Sequence, residues 1–100
     1  MTEERPYGRD LAQSSLTGGV VIVTMPDPAA DISPDSQPCK SCLVQQKEGT
    51  GMNMTIFETC TANKWELSTT TAIPVPVTNL DQLHFYGTAG DTIQIMWRGD

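Results

Sequence analysis

From residue 18 onward the chain is a succession of short apolar runs, each broken by Pro, Gly, Asn or Asp after four to eight residues, and no stretch sustains a 3.6-residue repeat. That pattern predicts strands. Val20 to Met25 is β-branched and is stopped by Pro26-Asp27-Pro28, because proline supplies no ladder N–H. Ala29 to Ile32 reads as a short edge piece, and residues 33–38 as a loop. Cys39 to Gln46 is the next strand, followed by a turn at Glu48-Gly49-Thr50-Gly51. Met52, Met54 and Ile56 then alternate with Asn53, Thr55 and Phe57, and Lys64 to Leu67 makes a short strand with Trp65 and Leu67 on one face. Ile73-Pro74-Val75-Pro76-Val77 places prolines at every second position, which suits a sheet edge. Residues 78–81 form a turn, Gln82 to Tyr86 a strand, and Thr92 to Arg98 the last strand. Seven or eight short strands predict an all-β fold, a small jelly-roll-like antiparallel β-sandwich.

Period-two alternation divides these strands into two faces. Ile93, Ile95 and Trp97 are expected in the core with Val75, Val77, Leu83, Phe85, Val21 and Val23, since a one-residue slip would expose all of them. Trp65 is expected to plug the core as Trp97 does. His84, Tyr86, Gln94 and Met96 fall on the opposite phase and are expected to form one contact face. Residues 1–17 offer little to bury, so they read as a flexible arm preceding a domain at 18–100. Within the arm, Arg5, Tyr7, Arg9 and Leu11 are the candidates for contact with a neighbour.

Charge and composition narrow the classes. The net charge is −6, and the six Lys and Arg residues are scattered, which argues against nucleic acid as a partner. No segment is apolar for long enough to suggest a membrane span, and the opening residues lack the basic start and apolar run of a secretory leader. Three cysteines without a leader predict reduced thiols, with a disulfide through Cys60 as the alternative.

Little in the chain looks catalytic. Cys39 and Cys42 are spaced C-x-x-C, but on a strand residues three apart point to opposite sides and cannot share a metal. No helix start follows Cys42 to lower a thiol pKa. His84 stands alone without a nucleophile motif, Gly87-Thr88-Ala89-Gly90-Asp91 lacks the helix a phosphate loop needs, and Asp27, Asp31 and Asp35 do not match a calcium loop. The reading is a binding protein rather than an enzyme, with no catalytic residues, metal or cofactor.

The stretches T-G-G-V-V-I-V-T, P-C-K-S-C-L-V-Q and I-P-V-P-V-T-N-L-D-Q-L-H-F-Y-G-T-A-G-D-T-I-Q-I resemble, in order and spacing, the small head-decoration and virion structural proteins of tailed bacteriophages. The resemblance spans about residues 17–97, and residues 1–16 and 59–71 depart from it. It implies a β-sandwich made in the host cytoplasm and carried on the virion. There it would bind the major capsid protein lattice in many copies, as a trimer or another small homo-oligomer, and stabilise the shell. A collar, fibre or host-glycan adhesion domain is the alternative within the same setting.

Overall fold

The computed structural model describes residues 17–99. The arm candidates Arg5, Tyr7, Arg9 and Leu11 lie outside the described residues. Seven strands are present: β1 (Gly18–Thr24), β2 (Ser41–Glu48), β3 (Asn53–Ile56), β4 (Trp65–Glu66), β5 (Ile73–Val75), β6 (Leu83–Tyr86) and β7 (Thr92–Arg98). They form a four-stranded sheet in the order β1-β7-β2-β5 and a three-stranded sheet in the order β4-β3-β6, with antiparallel pairing throughout. The fold is therefore a small all-β sandwich.

The core lies between the two sheets. Val44, Ile93, Ile95, Leu83, Phe85, Val75 and Val77 are all buried, while Val21, Val23 and Trp97 pack against them half-buried. Trp97 lies opposite Gly19, and a Cβ added there would come within 3.2 Å of the indole Nε1. The glycine is what leaves room for the ring. Two fully buried methionines, Met25 in phase with Val21 and Val23 and Met52 in phase with Met54, also fill the core.

Gln46 is a polar member of this interior. Its Oε1 accepts from the Met52 N–H at 3.1 Å, and its Nε2 donates to the Glu48 carbonyl at 3.2 Å. The register of β2 against β7 shifts between Gln46 and Glu48, a bulge that leaves backbone groups for that side chain to satisfy.

Asn79 to Gln82 differs from the expected turn and strand start. Leu80–Gln82 is one turn of 3₁₀ helix, capped by the Asn79 side chain, which accepts from the Asp81 N–H at 3.0 Å. The Gln82 carboxamide reaches back to the Asn79 N–H at 3.3 Å, so N-L-D-Q is a capping box. Leu80, fully buried, anchors the turn.

Two expectations about side-chain direction are corrected. Cys39 and Cys42 do not point to opposite sides, because β2 begins only at Ser41 and the alternation does not reach back to Cys39. Both thiols turn inward, Cys39 toward the Val77 carbonyl at 3.5 Å and Cys42 toward that of Val75 at 3.7 Å. Trp65 is no core plug: it sits on β4 at the edge of its sheet and is 64% exposed, whereas Leu67, beyond the end of β4, is buried.

Candidate functional site

Directly opposed residues of antiparallel strands share a face, so the registers define the outer surface of the four-stranded sheet row by row. One row runs Val20, Met96, Leu43, Pro74 across all four strands, and the next runs Ile22, Gln94, Gln45. Val20 is 63% exposed, Met96 56%, Ile22 46% and Leu43 38%. The patch has a polar floor at one point, where the Gln94 Nε2 donates to the Gln45 Oε1 at 3.4 Å and the Gln45 Nε2 donates to the Thr69 carbonyl at 2.8 Å. A shallow depression of about 280 Å³ lies among Val20, Leu43, Gln45, Ala72, Gln94 and Met96.

Charged side chains on these strands stand at the two ends of the sheet, Arg98 opposite Gly18 at one and Lys47, exposed at the β2 bulge, with Glu48 opposite Thr92 at the other. No titratable group interrupts the rows between them. A surface of this kind can recognise another surface by burying apolar area, and it has no group with which to transfer a proton or attack a bond.

The outer face of the three-stranded sheet is built differently. His84 opposes Thr55 and Tyr86 opposes Asn53, but the chain itself covers this surface. The Thr55 hydroxyl donates to the Glu58 carbonyl at 2.6 Å, and the Lys64 N–H donates to the Asn53 Oδ1 at 3.0 Å, which ties residues 57–64 across the sheet. Within that segment Cys60 is 1% exposed, and its N–H donates to the Asp31 carboxylate at 2.8 Å. The same carboxylate lies 3.1 Å from the His84 Nδ1.

His84, Tyr86, Gln94 and Met96 therefore do not form one face. His84 and Tyr86 belong to β6 in the three-stranded sheet, Gln94 and Met96 to β7 in the four-stranded one. Each pair points outward, as alternation predicts, but the two sheets' outer surfaces face opposite ways. Gln94 and Met96 lie in the apolar patch, whereas His84 and Tyr86 lie under or beside the chain's own cover. Sequence reasoning also missed Val20, Ile22 and Leu43. Their signal was present in Gly18-Gly19-Val20-Val21-Ile22-Val23-Thr24, where both phases of the strand are apolar, so that one apolar phase has to lie outside.

The remaining candidates for chemistry are accounted for by burial. Burial pushes the Cys42 thiol up to about 11, with neighbouring Cys39 adding to the rise and hydrogen bonding with the Val75 backbone opposing it. The Cys39 and Cys60 thiols are raised by burial too. None of the three is a ready thiolate nucleophile. Asp31 is engaged with His84 and Cys60, and among the described residues no group of three His, Cys, Asp or Glu side chains is placed to hold a metal ion.

A second concavity, of about 390 Å³, opens between the β4 and β5 edges. Met54, Ile56, Trp65, Pro74 and Pro76 are among its lining residues, and Lys64 and Glu58 form an ion pair of 3.8 Å at its rim. No family model, curated protein or solved structure matches the chain.

Proposed function

We propose that this chain is a virion structural protein of a tailed bacteriophage that decorates the outer surface of the capsid. It binds the major capsid protein lattice in many copies, through recognition and without catalysis. The observation that carries this reading is the exposed apolar face of the four-stranded sheet, uncharged between its ends in a protein of net charge −6. Contacts of modest strength suffice on a lattice, because a protein that engages neighbouring subunits together gains from effective concentration. The order of strands and turns quoted above, and its likeness to small head-decoration proteins, supports the same reading.

Quantitative mass spectrometry of virions of the phage that encodes the chain tests it. The expected result is a copy number in simple ratio to the major capsid protein. Absence from mature particles overturns the proposal.

A second reading, a host-glycan adhesion domain on the virion, is favoured by one observation. Trp65 presents an exposed ring beside a groove with a charged rim, an arrangement on which a sugar ring can stack. A copy number of only a few per particle, with glycan-array binding that Trp65→Ala abolishes, would establish this reading instead.

A further inference from the structure

The four-stranded sheet has two edges of opposite character. β5 is three residues long and carries Pro74, with Pro76 following it, so it offers few donors to an incoming strand. β1 is seven residues long and has no charged residue, no proline and no register shift against β7. Natural sheets protect long, flat, apolar edges of this kind, and among the described residues β1 pairs with β7 alone.

The hydrogen-bond accounting shows which groups the edge offers. The Met25 N–H donates to the Asp91 carbonyl at 2.8 Å, and the Met25 carbonyl accepts from the Gly90 N–H at 2.9 Å. Alternation along the strand then turns the backbone groups of Val23, Val21 and Gly19 toward β7. Those of Gly18, Val20, Ile22 and Thr24 point the other way, to the open side. Side chains tell the same story, since Val21 and Val23 face the core yet remain half-buried at the last strand of the sheet.

We propose that β1 pairs antiparallel with β1 of a second copy of this chain, about a two-fold axis through Val21. Only this register lets all four outward residues pair, Val20 with Ile22 and Gly18 with Thr24 across the axis. It brings no charge opposite a like charge, because none of the seven residues of β1 is charged. Val21 meets its own counterpart on the inner side, which completes its burial. Two four-stranded sheets become one of eight strands, and the apolar rows containing Val20 and Ile22 run on across the axis. The pairing is isologous and self-limiting, since each β1 has one free edge. It stands apart from the capsid reading and requires no virion.

The interface is small beside the roughly 800 Å² per partner of a standard complex, so association is expected in the micromolar range. Sedimentation equilibrium of the full chain, from about 1 to about 500 µM, is expected to show a monomer of 10.9 kDa passing to a species of twice that mass. Amide exchange by NMR is expected to protect Val20, Ile22 and Thr24 at high concentration and not at low. Ile22→Pro removes a donor that the monomer's sheet does not use, so the variant should remain folded by circular dichroism and lose the dimer. Val20→Lys, at a 63% exposed position, provides a second variant that keeps the donor and adds charge repulsion across the edge.

A full chain that stays monomeric throughout overturns the proposal. In that case protected amides at Val20, Ile22 and Thr24 would assign the edge to residues 1–16, and unprotected ones would leave it open. A dimer that survives both substitutions in folded protein overturns it as well.

Discussion

The two outer faces of this sandwich differ in what covers them. On the three-stranded sheet, residues 57–64 fold across the strands with Cys60 the buried member of the segment, and Asp31 joins the Cys60 N–H to His84. On the four-stranded sheet, Val20, Ile22, Leu43 and Met96 stand exposed in adjoining rows. The same chain seals one face with polar bonds to its own backbone and leaves the apolar one bare. Scattered exposed hydrophobes are ordinary in any protein, but a contiguous uncharged set on a flat sheet marks an interaction surface. The contrast makes the four-stranded side the candidate binding surface on the proposed reading, while polar bonds from the chain itself cover the three-stranded side.

The largest effect should come from the inner side of the bare sheet. Ile95 is fully buried on β7, one residue from Met96, and Ile95→Ala is expected to cost about 2–5 kcal/mol in urea denaturation. A loss below about 1 kcal/mol would mean that the sheet's inner face is not the core.

Next comes the seal on the opposite face. Asp31→Ala removes the acceptor of the Cys60 N–H and the partner of His84, and should cost about 1–3 kcal/mol. Exchange of the Cys60 amide should accelerate at the same time. Unchanged exchange would show that residues 57–64 are held down by other contacts, which would weaken the contrast between the faces.

A pH effect separates the inner thiols from both surfaces. Burial raises the Cys42 thiol from an ordinary 9.0 to about 11, so as pH rises the unfolded chain gives up this proton first. The contribution is intact below about pH 9 and is lost between there and about pH 11, so melting temperature should hold steady at neutral pH and fall across that window. In Cys42→Ala the fall should be shallower. An identical profile would mean that the Cys42 thiol is not buried in the folded protein.

The smallest effect on stability, and the largest on binding, is expected at the bare face. Met96→Asp lies at a 56% exposed position and should change stability by no more than about 0.5 kcal/mol, while lowering occupancy on capsids if the proposed function holds. Equal occupancy by the folded variant would remove the four-stranded face as the site of attachment.

Much of this organisation was legible in the residues. The breaks at Pro26-Asp27-Pro28, Glu48-Gly49-Thr50-Gly51 and Gly87-Thr88-Ala89-Gly90-Asp91 delimit strands because proline and glycine act on the backbone locally. The edge position of β5 followed from Pro74 and Pro76 for the same reason. Alternation correctly set Ile93 and Ile95 inward and Met96 outward, since a strand's two faces are a property of its own backbone.

Which sheet a strand joins, and what lies over its outer face, only the tertiary structure decided. His84 and Met96 share a phase in their strands, yet one is held by Asp31 under the chain's own cover and the other lies bare on the far side. That assignment depends on pairings between residues tens of positions apart, such as β1 with β7 and β2 with β5, which no local pattern encodes. Cys39 and Trp65 were misplaced for a related reason: alternation holds only inside a strand, and where β2 begins and β4 ends is set by the neighbours they pair with. The sequence by itself determined an all-β chain and the inner and outer sides of its central strands, because those are short-range consequences of backbone geometry and hydrophobic burial. Long-range pairing then determined which of the outer sides stays open to a partner.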